Sequence, residues 1–94
     1  MELFWTPEAT QDRDEIYEYI EADNPSAALA IDELFAEKAG RLVDHPGLGR
    51  LGRVTGTREL AAHQNYIMIY DLAGDLVRVL CILHTARQWP AVRS

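Results

Sequence analysis

The residues best equipped for chemistry stand near the end of the 94-residue chain, in VRVLCILHTARQWP from Val77 to Pro90. His84 closes an apolar run there, and Arg87 and Trp89 follow it. An imidazole can give or take a proton near neutrality, a guanidinium forks onto carboxylate or phosphate oxygens, and an indole anchors interfaces. Upstream, Arg58 adds a second cation, and Tyr66 and Tyr70 add two phenols. Each residue has a plain reading beside the chemical one. His84 is either an acid–base group or a histidine hydrogen-bonded at a sheet edge. Arg58 and Arg87 either clamp a phosphate or pair with carboxylates such as Glu59 and Asp71. Tyr66 and Tyr70 share a strand face with Met68, which more often means core than a base-stacking platform. Trp89 is either a docking aromatic or a plug over the edge of the core.

These side chains need rigid elements to present them. Strict alternation puts Val77, Val79, Cys81 and Leu83 on one face of an extended strand and Arg78, Leu80, Ile82 and His84 on the other. Both sets are largely apolar, so this strand is predicted to run through the middle of a covered sheet, with His84 where it leaves the core. Glu2–Trp5 reads as a first strand. Thr6 and Pro7 then supply an N-cap and a first-turn proline. The helix they open runs to about Ala22, with Ala9, Ile16 and Ile20 inward alongside part of Tyr17 or Tyr19. Asn24 and Pro25 repeat the cap, and a second helix runs to about Val43 with Ala27, Ile31, Leu34, Phe35 and Leu42 at helical spacing. His45-Pro46-Gly47 and Gly49 stop it, and Gly52 and Gly56 keep the segment to Thr57 loop-like or kinked. Arg58 to Ala62, Asn65 to Leu72 and Leu76 to about Thr85 are predicted strands, the last two joined by a hairpin connection at Ala73-Gly74-Asp75. The fold class expected is α+β: an N-terminal strand, a helical hairpin, then a three-stranded antiparallel meander. The hairpin covers one face of a four-stranded sheet, with the first strand at an edge or beside the last.

With 48% hydrophobic and 26% charged residues, the chain is expected to be one globular domain over residues 1–94. Cys81 has no second cysteine to pair with and lies in the most apolar strand, which reads as a buried small hydrophobe in a reducing compartment. The first residues lack a secretory pattern, and no apolar run approaches the roughly 18 residues of a membrane span, so a cytoplasmic protein without a membrane partner is expected. Charge is uneven: twelve carboxylates against Arg13, Lys38 and Arg41 give residues 1–44 a net −9. Residues 45–94 carry a net +3, all of the cations being arginine, and the whole chain carries −6. An anionic partner should therefore meet the second half.

Three segments follow the helical hairpin in order: Gly56-Thr57-Arg58-Glu59-Leu60, then Asn65-Tyr66 with Tyr70, then Leu83-His84 with Ala86-Arg87-Gln88-Trp89-Pro90. Together they resemble the RelE/ParE superfamily of type II toxin–antitoxin toxins, closest in appearance to the ParE or plasmid-stabilisation branch. The likeness covers nearly the whole chain. It implies a growth-inhibiting protein neutralised by a cognate antitoxin, which wraps around it and supplies the only contact with DNA. The superfamily has two activities. RelE-like members cut messenger RNA on the ribosome by in-line attack of a 2′-OH, a metal-independent reaction for which Arg58, Tyr66, His84 and Arg87 would be the catalytic set. ParE-like members bind and poison DNA gyrase, and Arg58, His84, Arg87 and Trp89 would then contact target or antitoxin. Neither activity implies a metal or other cofactor. A ribosomal nuclease works in a dense phosphate field that several Lys/Arg contacts must answer, whereas this chain is acidic with one lysine. The expectation therefore leans toward gyrase, with the ribosome and mRNA as the alternative and a non-toxic adaptor of the same fold as a third reading.

Overall fold

The computed structural model describes residues 1–86, so the expectations placed on Arg87 and Trp89 lie outside the described residues. The elements are β1 (Glu2–Trp5), α1 (Pro7–Glu21), α2 (Pro25–Asp44), β2 (Arg50–Leu51), β3 (Thr57–His63), β4 (Tyr66–Ala73) and β5 (Leu76–His84). They form one sheet in the order β1-β5-β4-β3-β2. The antiparallel meander is present, and β1 lies both at an edge and beside the last strand. Because β1 runs parallel to β5, the sheet is mixed. Among the described residues it also has five strands rather than four. The added one, β2, falls in the segment read as loop-like: Arg50 pairs with Glu59 and Leu51 with Arg58. Two exposed residues carry no periodicity from which a strand could be read.

Both helices start at the residues that can cap them. The Thr6 hydroxyl accepts from the Ala9 N–H and the Asn24 side chain from the Ala27 N–H, each at 3.1 Å, and each cap is followed by proline. The inward stripe of α2 is Ala28, Phe35, Ala39 and Leu42. Ala28 replaces the expected Ala27, because only position 28 continues the spacing of seven, four and three residues on one helix face. Tyr17 is half-buried, while Tyr19 is 80% exposed. Phe35, Ala39 and Ala9 meet Tyr66, Met68, Val79 and Ile82 of the sheet in one cluster, and Leu42 meets Tyr70 and Val77 in a second. Burying Phe35 alone contributes about 1.5–3 kcal/mol. Arg13 ties three elements together. Its Nε and Nη2 each reach an Asp32 carboxylate oxygen at 2.9 Å, and its guanidinium stacks 4.5 Å over the Trp5 ring. Among the described residues no helix is long and apolar enough to cross a membrane.

A polar clasp secures the chain between α2 and β3. Tyr70, with no exposed surface, donates its hydroxyl to the Pro46 carbonyl at 2.7 Å and accepts from the Gly49 N–H at 2.9 Å. That closeness fixes the residue at position 49. A Cβ there would stand 2.7 Å from the Tyr70 ring and 2.8 Å from the Glu59 carbonyl oxygen, whereas one at Gly47 would meet nothing within 4 Å. Gly49→Ala is therefore expected to lower stability by roughly 1–3 kcal/mol in denaturant unfolding, with Gly47→Ala within about 0.5 kcal/mol of the parent.

Candidate functional site

The end of β5 is shaped by one extra residue. Ile69 of β4 pairs with Cys81 but its neighbour Tyr70 pairs with Val79, so Leu80 bulges out of the ladder. The bulge resets the alternation: Val79 and Ile82 both join the cluster under the helices, and His84 lies opposite Tyr66. The expected grouping of Val77, Val79, Cys81 and Leu83 on one face is thus corrected. An all-apolar run contains no polar residue to mark the change of phase. The backbone groups around the bulge are satisfied from α1 and its cap. Thr6 donates its N–H to the Val79 carbonyl and its hydroxyl to the Leu80 carbonyl, both at 3.1 Å, and an Asp12 carboxylate oxygen accepts from the Ile82 N–H at 2.9 Å.

His84 is exposed at this end, its ring edge-on to Tyr66 at 5.5 Å. Its Nδ1 accepts the Ala86 N–H at 3.1 Å, which leaves Nε2 to carry the proton of the neutral ring. His63 accepts the Asn65 N–H in the same way and lies 6.1 Å from Tyr66 on the other side. Tyr66 itself is 8% exposed and packs edge-on against Phe35, so both tyrosines of this strand are core. Beside Tyr66 opens a cleft of about 840 Å³ with an apolar floor that includes Ile16, Ile20, Ile31 and Ile82 and with Asp12 and Glu15 on its wall.

Arg58 is elsewhere. Its Nη1 donates to the Gly49 carbonyl at 2.8 Å and more weakly to Gly47 at 3.4 Å, so it fastens the clasped loop. The carboxylates considered as its partners are taken. Glu59 accepts from Arg50 at 3.1 Å and from the Arg53 N–H at 3.3 Å, and Asp71 accepts a fork from Arg78 at 2.8 and 2.6 Å. The Asp71 hydrogen bond, then its charge, raises the Arg78 pKa further. Arg58 pairs with Tyr70 and His84 with Tyr66, so four residues of β4 separate them along the strand, roughly 13 Å. The cation and the imidazole do not converge.

Glu59 was not singled out from the sequence. It is a carboxylate only 8% exposed, and with Arg53, Ile69 and Leu83 it lines a depression of about 40 Å³ that His84 also borders. That space suits about one water. The signal for Glu59 was its place directly after three arginines, at positions 50, 53 and 58, among which only the β2–β3 register reveals its partner. Cys81 is chemically quiet: burial first, then the nearby Asp12 and Glu8 carboxylates, push its thiol up to about 12. Among the described residues no three His, Cys, Asp or Glu side chains gather to hold a metal.

A maleimide at pH 8 is expected to leave Cys81 unmodified in the folded protein and to label it fully in denaturant, as followed by mass. Its raised folded pKa also means that the unfolded chain loses this proton first. Stability should fall as pH rises from the ordinary thiol range to about 12, and a Cys81→Ala variant should lose that part of the alkaline slope.

Comparison with known proteins gives a consistent result. The family model described as the ParE toxin of type II toxin–antitoxin system, parDE, matches residues 3–89. The chain is 39% identical over 89 residues to a putative toxin, Y4kP, of Sinorhizobium fredii, covering 94% of this chain and 92% of the relative. It is 34% identical over 86 residues to Toxin RelE2 of Caulobacter vibrioides, covering 92% and 97%. Among solved structures, a chain of the chromosomal ParDE TA system from P. aeruginosa superposes with a TM-score of 0.81 at 28% identity, covering 89% of this chain and 95% of that one.

Proposed function

The chain belongs to the ParE toxin family of type II toxin–antitoxin systems, and from that membership we propose that it arrests growth by binding DNA gyrase and is neutralised by a cognate antitoxin. What supports binding over catalysis is the separation of Arg58 from His84. In-line cleavage of RNA needs a base, an acid and a cation around one phosphate. Here Arg58 fastens a loop at one end of the sheet and Tyr66 is packed on Phe35, while His84 stands at the other end, edge-on to Tyr66 and bordering a shallow depression with Arg53 and Glu59. The net charge of −6 weighs the same way against work in a phosphate field. The antitoxin has a suitable berth in the 840 Å³ cleft, whose apolar floor fits the face of an amphipathic helix.

The relative named Toxin RelE2 keeps the ribosome-directed nuclease as the second reading, with His84 as acid or base. Induction of the toxin without antitoxin separates the two. Under the gyrase reading replication stops, the DNA-damage response fires and cells filament while translation continues at first. Prompt loss of protein synthesis with codons cleaved on ribosomes selects the nuclease.

His84→Gln makes the same choice at the level of one side chain. A general acid or base contributes about 10²–10⁴-fold to rate, so a nuclease would be nearly silenced. A contact residue contributes on the order of 1 kcal/mol. We expect His84→Gln to remain measurably toxic in a growth assay, with its thermal midpoint close to that of the parent. A folded, non-toxic variant would count against the binding mechanism.

A further inference from the structure

Strand β5 outruns its parallel neighbour. It has nine residues and continues to His84, whereas β1 has four and reaches only as far as Val79. The start of α1 takes the next backbone groups on that side: Thr6 donates to the Val79 and Leu80 carbonyls, and Asp12 accepts the Ile82 N–H. Alternate residues of a strand turn their N–H and C=O to the same side. Thr85 donates to the Asn65 carbonyl at 2.9 Å, on the β4 side, so Leu83 faces β4 as well, and Ile82 and His84 face away from it. The Ile82 carbonyl and the backbone N–H and carbonyl of His84 therefore form a short open edge that has no strand beside it among the described residues.

That edge runs along the 840 Å³ cleft. Ile82, His84 and Ala86 line it together with Ile16, Ile20 and Ile31 of the helices. The sheet has two further edges, on β1 and on β2, and neither strand contributes a residue to the cleft. Unpaired backbone groups beside an apolar trough recognise an extended chain: its main chain bonds the edge, and every second side chain turns into the trough.

We propose that the antitoxin segment held in the cleft ends, beside His84, in a short β-strand added to β5, bonded to the Ile82 carbonyl and the His84 backbone. The proposal rests on the reading that the cleft is the antitoxin's berth. Three backbone groups between α1 and the end of β5 offer room for a single chain, which suits a segment that folds only on binding. A folded partner or a second copy would have to bring its own sheet edge against α1, whose Asp12 already stands at Ile82. The added strand sets a side chain next to the His84 imidazole, as cross-strand neighbours are set. Neutralisation then acts directly at His84, whether that residue contacts a target or works on RNA.

The test compares the full chain, free and in complex with its full-length antitoxin, by NMR. The δ1 methyls of Ile16, Ile20 and Ile31 report occupation of the cleft, and hydrogen exchange of the His84 amide reports the edge. We expect the methyl signals to shift and the His84 amide, unprotected in the free chain, to exchange at least about a hundredfold more slowly in the complex. Single backbone N-methylations along the bound antitoxin segment should lower affinity at least about tenfold at every second residue opposite Ile82 and His84. Shifted methyls beside an unprotected His84 amide overturn the strand and leave the cleft reading standing. Unmoved methyls overturn both. Equal losses at consecutive N-methylated residues mean a helix at this edge and overturn the proposal. So does an amide already protected in the free chain, which would give the edge to the chain's own residues or, where protection grows with concentration, to a second copy.

Discussion

The extra residue in β5 sets the arrangement of everything around it. Up to Val79 the strand is paired on both sides, with β1 and β4, and its inward side chains meet α2. At Leu80 the ladder slips by one. A slip leaves backbone donors and acceptors out of register, and a buried orphan of that kind costs about 1–3 kcal/mol. The N-terminal half of α1 meets the need through Thr6 and Asp12, so the bulge and the helix determine each other's position. Helix α1 must sit where Asp12 reaches the Ile82 N–H. That placement in turn fixes Ile16 and Ile20 above Tyr66 and opens the cleft where the sheet outruns the helices.

The two ends of the sheet consequently differ in character. At one end lie Tyr66, two imidazoles, apolar isoleucines and the carboxylates of α1. At the other lie a tied loop, exposed leucines and arginines. Arg58, one of the two arginines weighed as an anion clamp, serves the fold by holding a loop by its carbonyls, as Arg13 does in joining both helices to β1 and Arg78 in bridging two strands. Such positions make arginine hard to read from sequence, because the planar fork that suits a phosphate suits a carbonyl pair or a carboxylate equally well.

What the sequence made legible follows the same physics. Thr6-Pro7 and Asn24-Pro25 announced both helix starts because capping is local, and the Gly74 turn announced the β4–β5 hairpin, where that glycine takes φ +58°. The burial of Tyr66 and Tyr70 with Met68 followed from alternation along an unbulged strand. Non-local features escaped. β2 exists only because Glu59 and Arg58 of β3 offer it an edge, the bulge only because α1 covers it, and the role of Gly49 only because a tyrosine 21 residues later comes to rest against it. For the candidate site, the position of His84 at a strand end was readable, but its side of the sheet was not. Glu59 was passed over because its burial depends on strand pairing that no local pattern reveals.

The parallel pairing of β1 with β5 has a consequence for how the protein assembles. Glu2 meets Leu76 and Trp5 meets Val79, so the first strand waits on nearly the last. Closing so long a loop is entropically costly, whereas the β3–β4–β5 meander and the helical hairpin need only near neighbours. The order this implies is a preformed meander onto which β1, and with it the Trp5–Arg13 stack and the Thr6 cap, docks late. Interactions made after the folding barrier act mainly as a brake on unfolding. The first six residues thus govern how long the folded protein lasts more than how quickly it forms.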